Sequence, residues 1–189
     1  MWARLILSLA LLGLVGGGTP SESRAQSAAQ QGPVREYQLK AVFVFHFTQF
    51  ADWLPGAFAD PQAPLVIGIL GDNPFGSYLD DAVRGEQVNN RPIVVQHYRK
   101  LSDVKACHIL FIAQSESDHM RQILDDLRGR NILTVSDADG FAAQGGMIQF
   151  LTEKNKIRLR INADAAKAAD VTISSKLLRS AEIVTSGRE

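Results

Sequence analysis

The sequence predicts one α/β domain: a mixed, mostly parallel sheet of about five to six strands, helices on both faces, and a hairpin at one edge. Three observations predict it. LVIGIL (65–70), PIVVQH (92–97), HILFIA (108–113) and ILTV (132–135) are short apolar runs between turn residues, as in strands buried on both faces. The stretches 78–83 and 118–127 between them carry helical spacing, which gives the strand-helix alternation of a parallel sheet. MIQFL (147–151) and IRLRI (157–161) instead alternate across a polar TEKNK (152–156), the signature of a hairpin with one wet face.

The elements follow in order from the N-terminus. Residues 1–25 read as a cleaved secretory signal: Arg4 near the start, an apolar stretch over 5–15, and small residues before a cut after Ala25. The apolar stretch is shorter than the roughly 20 residues that a helix needs to cross a bilayer. Residues 26–34 are small, polar and aperiodic, a flexible lead-in to a domain over 35–186. Over 35–54, Leu39, Val42, Phe43, His46, Phe47, Phe50, Trp53 and Leu54 recur at steps of three and four, predicting a helix that Pro55 stops. After the hairpin, 163–169 and 174–184 read as closing helices, the second with Leu177, Leu178, Ala181 and Val184 on its packing face.

Composition narrows function by exclusion. The chain of 189 residues balances 20 basic against 20 acidic side chains, so neither nucleic acid nor an anionic membrane surface is expected as a partner. LVIGILGDNPFG (65–76) ends a strand in glycines, where α/β proteins often hold a phosphate, but Gly68, Gly71 and Gly76 lack the G-x-G-x-x-G spacing. It reads as a turn, with Asp72, Asn73 and Ser136 as ligand contacts at the carboxyl edge of the strands if a small molecule binds there. The four histidines stand apart from acids and cysteines at ligand spacing, so no metal and no cofactor is expected. Serines 136, 174 and 175 lie in no nucleophile elbow, and Asp137 and Asp139 in SDADG fit a turn. Gly145-Gly146 before a strand predicts a bend or a close backbone approach. Cys107, the single cysteine, lies in a buried strand and can bridge only to another molecule.

The ordered set LKAVFVFHFTQFADWLP (39–55), IGILGDNPFG (67–76), NNRPIVV (89–95), CHILFIA (107–113), ILTVSD (132–137), GGMIQF (145–150), IRLRIN (157–162) and ISSKLLRSAEIV (173–184) resembles the YfiR-like family. The resemblance implies a periplasmic, often dimeric α/β protein with no known catalytic activity. Its best-understood members bind the periplasmic sensor domain of an inner-membrane, YfiN-type diguanylate cyclase and repress it, which lowers cyclic di-GMP and biofilm formation. Better-studied members also carry further cysteines in disulfides, so with Cys107 alone this chain lacks the means for redox control through intrachain bridges. The expected partner surface is the outward face of the hairpin, Arg158, Arg160 and Asn162, with Phe150 beside it. Direct membrane insertion is not expected.

Overall fold

The computed structural model describes residues 21–185, with side chains from Val34 onward. Of the stretch read as a signal peptide over 1–25, residues 1–20 lie outside the described residues. The first helix, α1 (Ser21–Phe50), passes through 26–34, where the composition reads as lead-in. It ends four residues before the expected stop. Ala51–Trp53 is instead a strand, β1, paired antiparallel with β9 (Val171–Ile173). The main chain of β9 supplies hydrogen-bond partners there, and the alternation of buried Ala51 with exposed Asp52 suits a strand as well as a helix.

The main sheet has the order β10-β8-β7-β6-β5-β2-β4-β3. Its centre is parallel: β4 (Arg91–Tyr98), β2 (Leu65–Leu70), β5 (Ile109–Ile112), β6 (Leu133–Ser136) and β7 (Ile148–Glu153). β8 (Lys156–Ile161) returns antiparallel to β7 as the expected hairpin. Eight strands exceed the expected five to six. The excess is β3 (Gln87–Val88) and β10 (Glu182–Ile183), two residues each and too short to leave a period.

Helices cover both faces. Ile67, Ile69, Ile109 and Phe111 pack with α1 and α2 (Tyr78–Val83), while Leu70, Leu110 and Ile112 pack with α3 (Met120–Asp126). Consecutive strand residues therefore bury against opposite layers, which is why these runs are apolar without alternation. Gly68 sits in mid-strand because a Cβ there would lie 2.7 Å from the Tyr98 ring and 2.9 Å from the Cys107 sulfur. Gly145 takes φ +106° and a Cβ on Gly146 would strike the Phe141 ring, so the glycine pair serves both a bend and a close approach.

Past the hairpin come α4 (Ala163–Ala168) and α5 (Ser175–Leu178). The helix expected over 174–184 is only this one turn. Ser174 Oγ accepts the Leu177 N–H at 3.3 Å to start it. The chain then bends, and Glu182–Ile183 joins the sheet edge parallel to β8.

Candidate functional site

The hairpin begins with its turn. Lys154 and Asn155 take φ of 49° and 59°, the two left-handed positions of a two-residue turn whose twist matches that of the strands. That turn sets Glu153 opposite Lys156, Leu151 opposite Arg158 and Phe150 opposite Leu159. Ile157, Leu159 and Ile161 consequently face the core side, and Arg158 and Arg160 the other. Arg158 is exposed. Arg160 is half-buried, donating from Nη2 to Glu182 Oε2 at 3.2 Å, with Nε buried and unpartnered. A cleft of about 380 Å³ lies beside it, between Arg158 and Leu159 on β8 and Arg179 to Glu182.

Two residues expected on this surface are elsewhere. Phe150 is 2% exposed, its ring 5.8 Å from that of Phe47 and 6.0 Å from that of Phe43. It shares the core face with Leu159 because they are register partners. Asn162 is fully buried: Oδ1 accepts the Ala165 N–H at 3.0 Å as the cap of α4, and Nδ2 donates to the Ala142 carbonyl at 3.1 Å. The strand alternation that placed it outside ends at Ile161, where the chain turns into a helix.

The ligand contacts expected at the carboxyl edge are separated by what holds them. The Asn73 side chain closes its own turn, accepting the Phe75 N–H at 2.9 Å and donating to the Gly76 carbonyl at 2.9 Å. Ser136 is fully buried, its hydroxyl donating to the Ile112 carbonyl at 2.7 Å and accepting the Ala138 N–H at 3.0 Å. Of the three, Asp72 and Asn73 are exposed, and the Asp72 N–H donates to Ser115 Oγ at 2.9 Å. Nearby, Gln114, Ser117, Asp139 and Gln144 help line a cleft of about 250 Å³.

A polar cluster that the periodicity did not reveal sits between α1 and the end of β6. Lys40 is 3% exposed and its Nζ lies 2.6 Å from both Glu36 Oε1 and Asp137 Oδ2. Tyr37 donates its hydroxyl to Asp137 Oδ2 at 2.8 Å, and Thr152 donates to Glu36 Oε1 at 2.7 Å. Asp137 Oδ1 is buried without a partner. Burial, then the Asp137 hydrogen bond, raises the Tyr37 pKa. Burial also pushes the Glu36 carboxyl upward, but its bonds to Lys40 and Thr152 outweigh that and leave its pKa below the usual value. Lys40 bridges the two carboxylates, and Ser136 beside them is engaged on the main chain. The cluster ties α1 to the sheet and, through Thr152, to the hairpin.

The sequence signal for this cluster was Lys40 itself. The buried side of α1 runs through Lys40, Ala41, Val44, Phe47 and Thr48, whereas Leu39 and Val42 of the expected stripe are 48% and 41% exposed. The true stripe is rotated by about one residue because ion pairing lets a lysine occupy an interior position.

Cys107 is buried. Its Sγ donates to the Ile109 carbonyl at 3.0 Å, and burial pushes the thiol up to about 12. It therefore contacts its own sheet, which leaves no surface thiol for an intermolecular bridge. On the other face His108 Nδ1 accepts the Val66 N–H at 3.0 Å, so Nε2 carries the proton and donates to the Ala57 carbonyl at 3.2 Å. Its ring stacks on Phe58 at 4.3 Å, and burial lowers its pKa. Among the described residues no three His, Cys, Asp or Glu side chains are grouped to hold a metal ion, and no helix is long and apolar enough to cross a membrane.

No curated protein matches the chain. A family model does: the one described as YfiR/HmsC-like matches residues 37–182, from Tyr37 of the buried cluster to the first residue of β10. The chain belongs to the YfiR/HmsC-like family.

Proposed function

We propose that the protein is a periplasmic regulator that binds the periplasmic domain of an inner-membrane signalling protein, a diguanylate cyclase, and holds it inactive. Cyclic di-GMP and biofilm formation fall as a result. The observation that carries this reading is membership of the YfiR/HmsC-like family across nearly all of the described domain. The site chemistry supports it: Ser136 and Asp137 at the carboxyl edge are engaged in holding the fold, while Arg158 on the hairpin stays open to a partner. Export by the N-terminal signal and self-association into a dimer belong to the same proposal.

A regulator of this kind acts by differential binding. It must hold the inactive state of its target more tightly than the active one, and about 3 kcal/mol of difference shifts the population on the order of a hundredfold. The test is a strain lacking the protein. Cellular cyclic di-GMP rises and the exported chain co-purifies with a membrane cyclase if the reading holds; unchanged cyclic di-GMP with no membrane partner refutes it.

A second reading, a small-molecule binding module read by a separate receptor, is favoured by the cleft of about 250 Å³ at the carboxyl edge and the exposed Asp72. A thermal-shift screen in which no small polar ligand raises the melting temperature counts against it.

A further inference from the structure

We propose that the open side of β8, from Lys156 to Leu159, is a strand-addition site for an extended acidic segment of a partner protein. This deepens the regulator reading and rests on it only for which protein supplies the segment.

The phase of the ladder points the main chain outward here. The Ile161 carbonyl accepts the Val184 N–H at 3.0 Å on the side away from β7. In an antiparallel ladder every second residue turns its main-chain groups the same way, so Ile157 and Leu159 also present theirs to that side. β10 pairs with Arg160 and Ile161, its two register partners being Glu182 and Ile183. In a parallel ladder of that phase Glu182 takes the Leu159 carbonyl, so the outward groups left are those of Ile157 and the Leu159 N–H. On the side away from β7 no described strand is paired with Lys156 or Ile157. A cleft of about 380 Å³ lies over the hairpin face that carries Leu151, Glu153 and Arg158, and the chain before β10 borders it through Arg179 and Ser180, leaving the line of β10 beside Lys156 and Ile157 without a described strand. An incoming strand fits that position, where main-chain bonds would provide affinity and flanking side chains would provide selection.

Charge selects the occupant. Lys156 and Arg158 are exposed on β8, and Arg179 lines the cleft with Arg158, its guanidinium donating to Ser175 Oγ at 3.3 Å. Among the described residues none of the three is in an ion pair, while Glu182 is held by Arg160 and Glu153 remains at the rim. A second copy of this edge would set Arg158 against like charge, the device by which exposed edges avoid pairing with themselves. An acidic strand meets the opposite situation.

The experiment uses the exported chain and two blocked hexapeptides, one alternating glutamate with valine and one alternating lysine with valine. The glutamate peptide is expected to bind about tenfold or more tightly than the lysine peptide and to slow amide exchange at Ile157 and Leu159. Arg158→Glu with Arg179→Glu is expected to reverse that order. Ile157→Pro, which removes an outward N–H, is expected to weaken the glutamate peptide by a similar factor; should it not fold, the charge reversal decides. Equal binding of the two peptides, no binding, or protection elsewhere in the sheet overturns the proposal. If removing the protein leaves cyclic di-GMP unchanged while the glutamate peptide still protects Ile157, the regulator reading fails and the strand site stands. The converse pattern removes the strand site alone.

Discussion

Lys40 and Arg158 are both cations near the hairpin, yet they sit in opposite surroundings. Lys40 is nearly sealed between two carboxylates, with Tyr37 and Phe150 rings at 4.6 and 5.9 Å; Arg158 is open to solvent beside a cleft and has no carboxylate partner among the described residues. The difference separates charge that holds the fold from charge available to a partner. A buried ion pair adds little net stability over an apolar replacement but is costly to break from one side, whereas a surface cation is nearly free to change.

Removing one member of the buried group gives the largest expected effect. Asp137→Ala leaves Lys40 sealed against Glu36 alone and should lower unfolding stability by about 3–5 kcal/mol, read from urea denaturation. The paired change Lys40→Met with Asp137→Leu should recover most of that loss. If the double variant is no more stable than Asp137→Ala, the cluster does not anchor α1 in the way its geometry indicates.

Next in size is Gly68→Ala. Its Cβ would press on the Tyr98 ring and the Cys107 sulfur, an overpacking cost of about 1–3 kcal/mol. Cys107→Ala made in the same chain should relieve part of it. Thermal unfolding of the two single variants and the double checks this, and strict additivity would deny that the two positions share one space.

The pH response is smaller. His108 has a pKa below its unfolded value of 6.5, so at mildly acidic pH the unfolded chain binds more protons than the folded one. Its contribution is therefore complete above about 6.5 and declines as pH falls toward the folded value, with a slope of at most about 1.4 kcal/mol per pH unit. His108→Gln should flatten the stability profile between pH 6.5 and 5. The smallest stability effect belongs to the other side of the comparison: Arg158→Glu should change stability by less than about 0.5 kcal/mol, leaving partner binding as its only large readout.

Much of this molecule was legible because apolar runs and alternation are local. β2, β5, β6, the hairpin and the helical layers follow from runs such as LVIGIL and IRLRI, and the motif order pointed to the family that the match over 37–182 establishes. The site was less legible because its residues are placed by distant partners. Asp137 meets Lys40 across 97 positions of chain, and no local period reports such a pair. Asn162 followed the strand alternation on paper, but the start of α4 captured it as a cap. Phe150 looked like an edge residue until its register with Leu159 set it against α1. Among the expected partner residues, Arg158 lies where alternation put it because its neighbours on both sides remain in the ladder.

The most direct test of regulation through the cations at the hairpin is made in cells. Cyclic di-GMP is measured in the native host without the protein, then with the wild-type chain restored, then with Arg158→Glu and Arg179→Glu. The level is expected to rise on removal and return with the wild type, but to stay high with the charge-reversed protein although its unfolding midpoint is unchanged. An unchanged level on removal, or full repression by the charge-reversed chain, would contradict regulation through those cations.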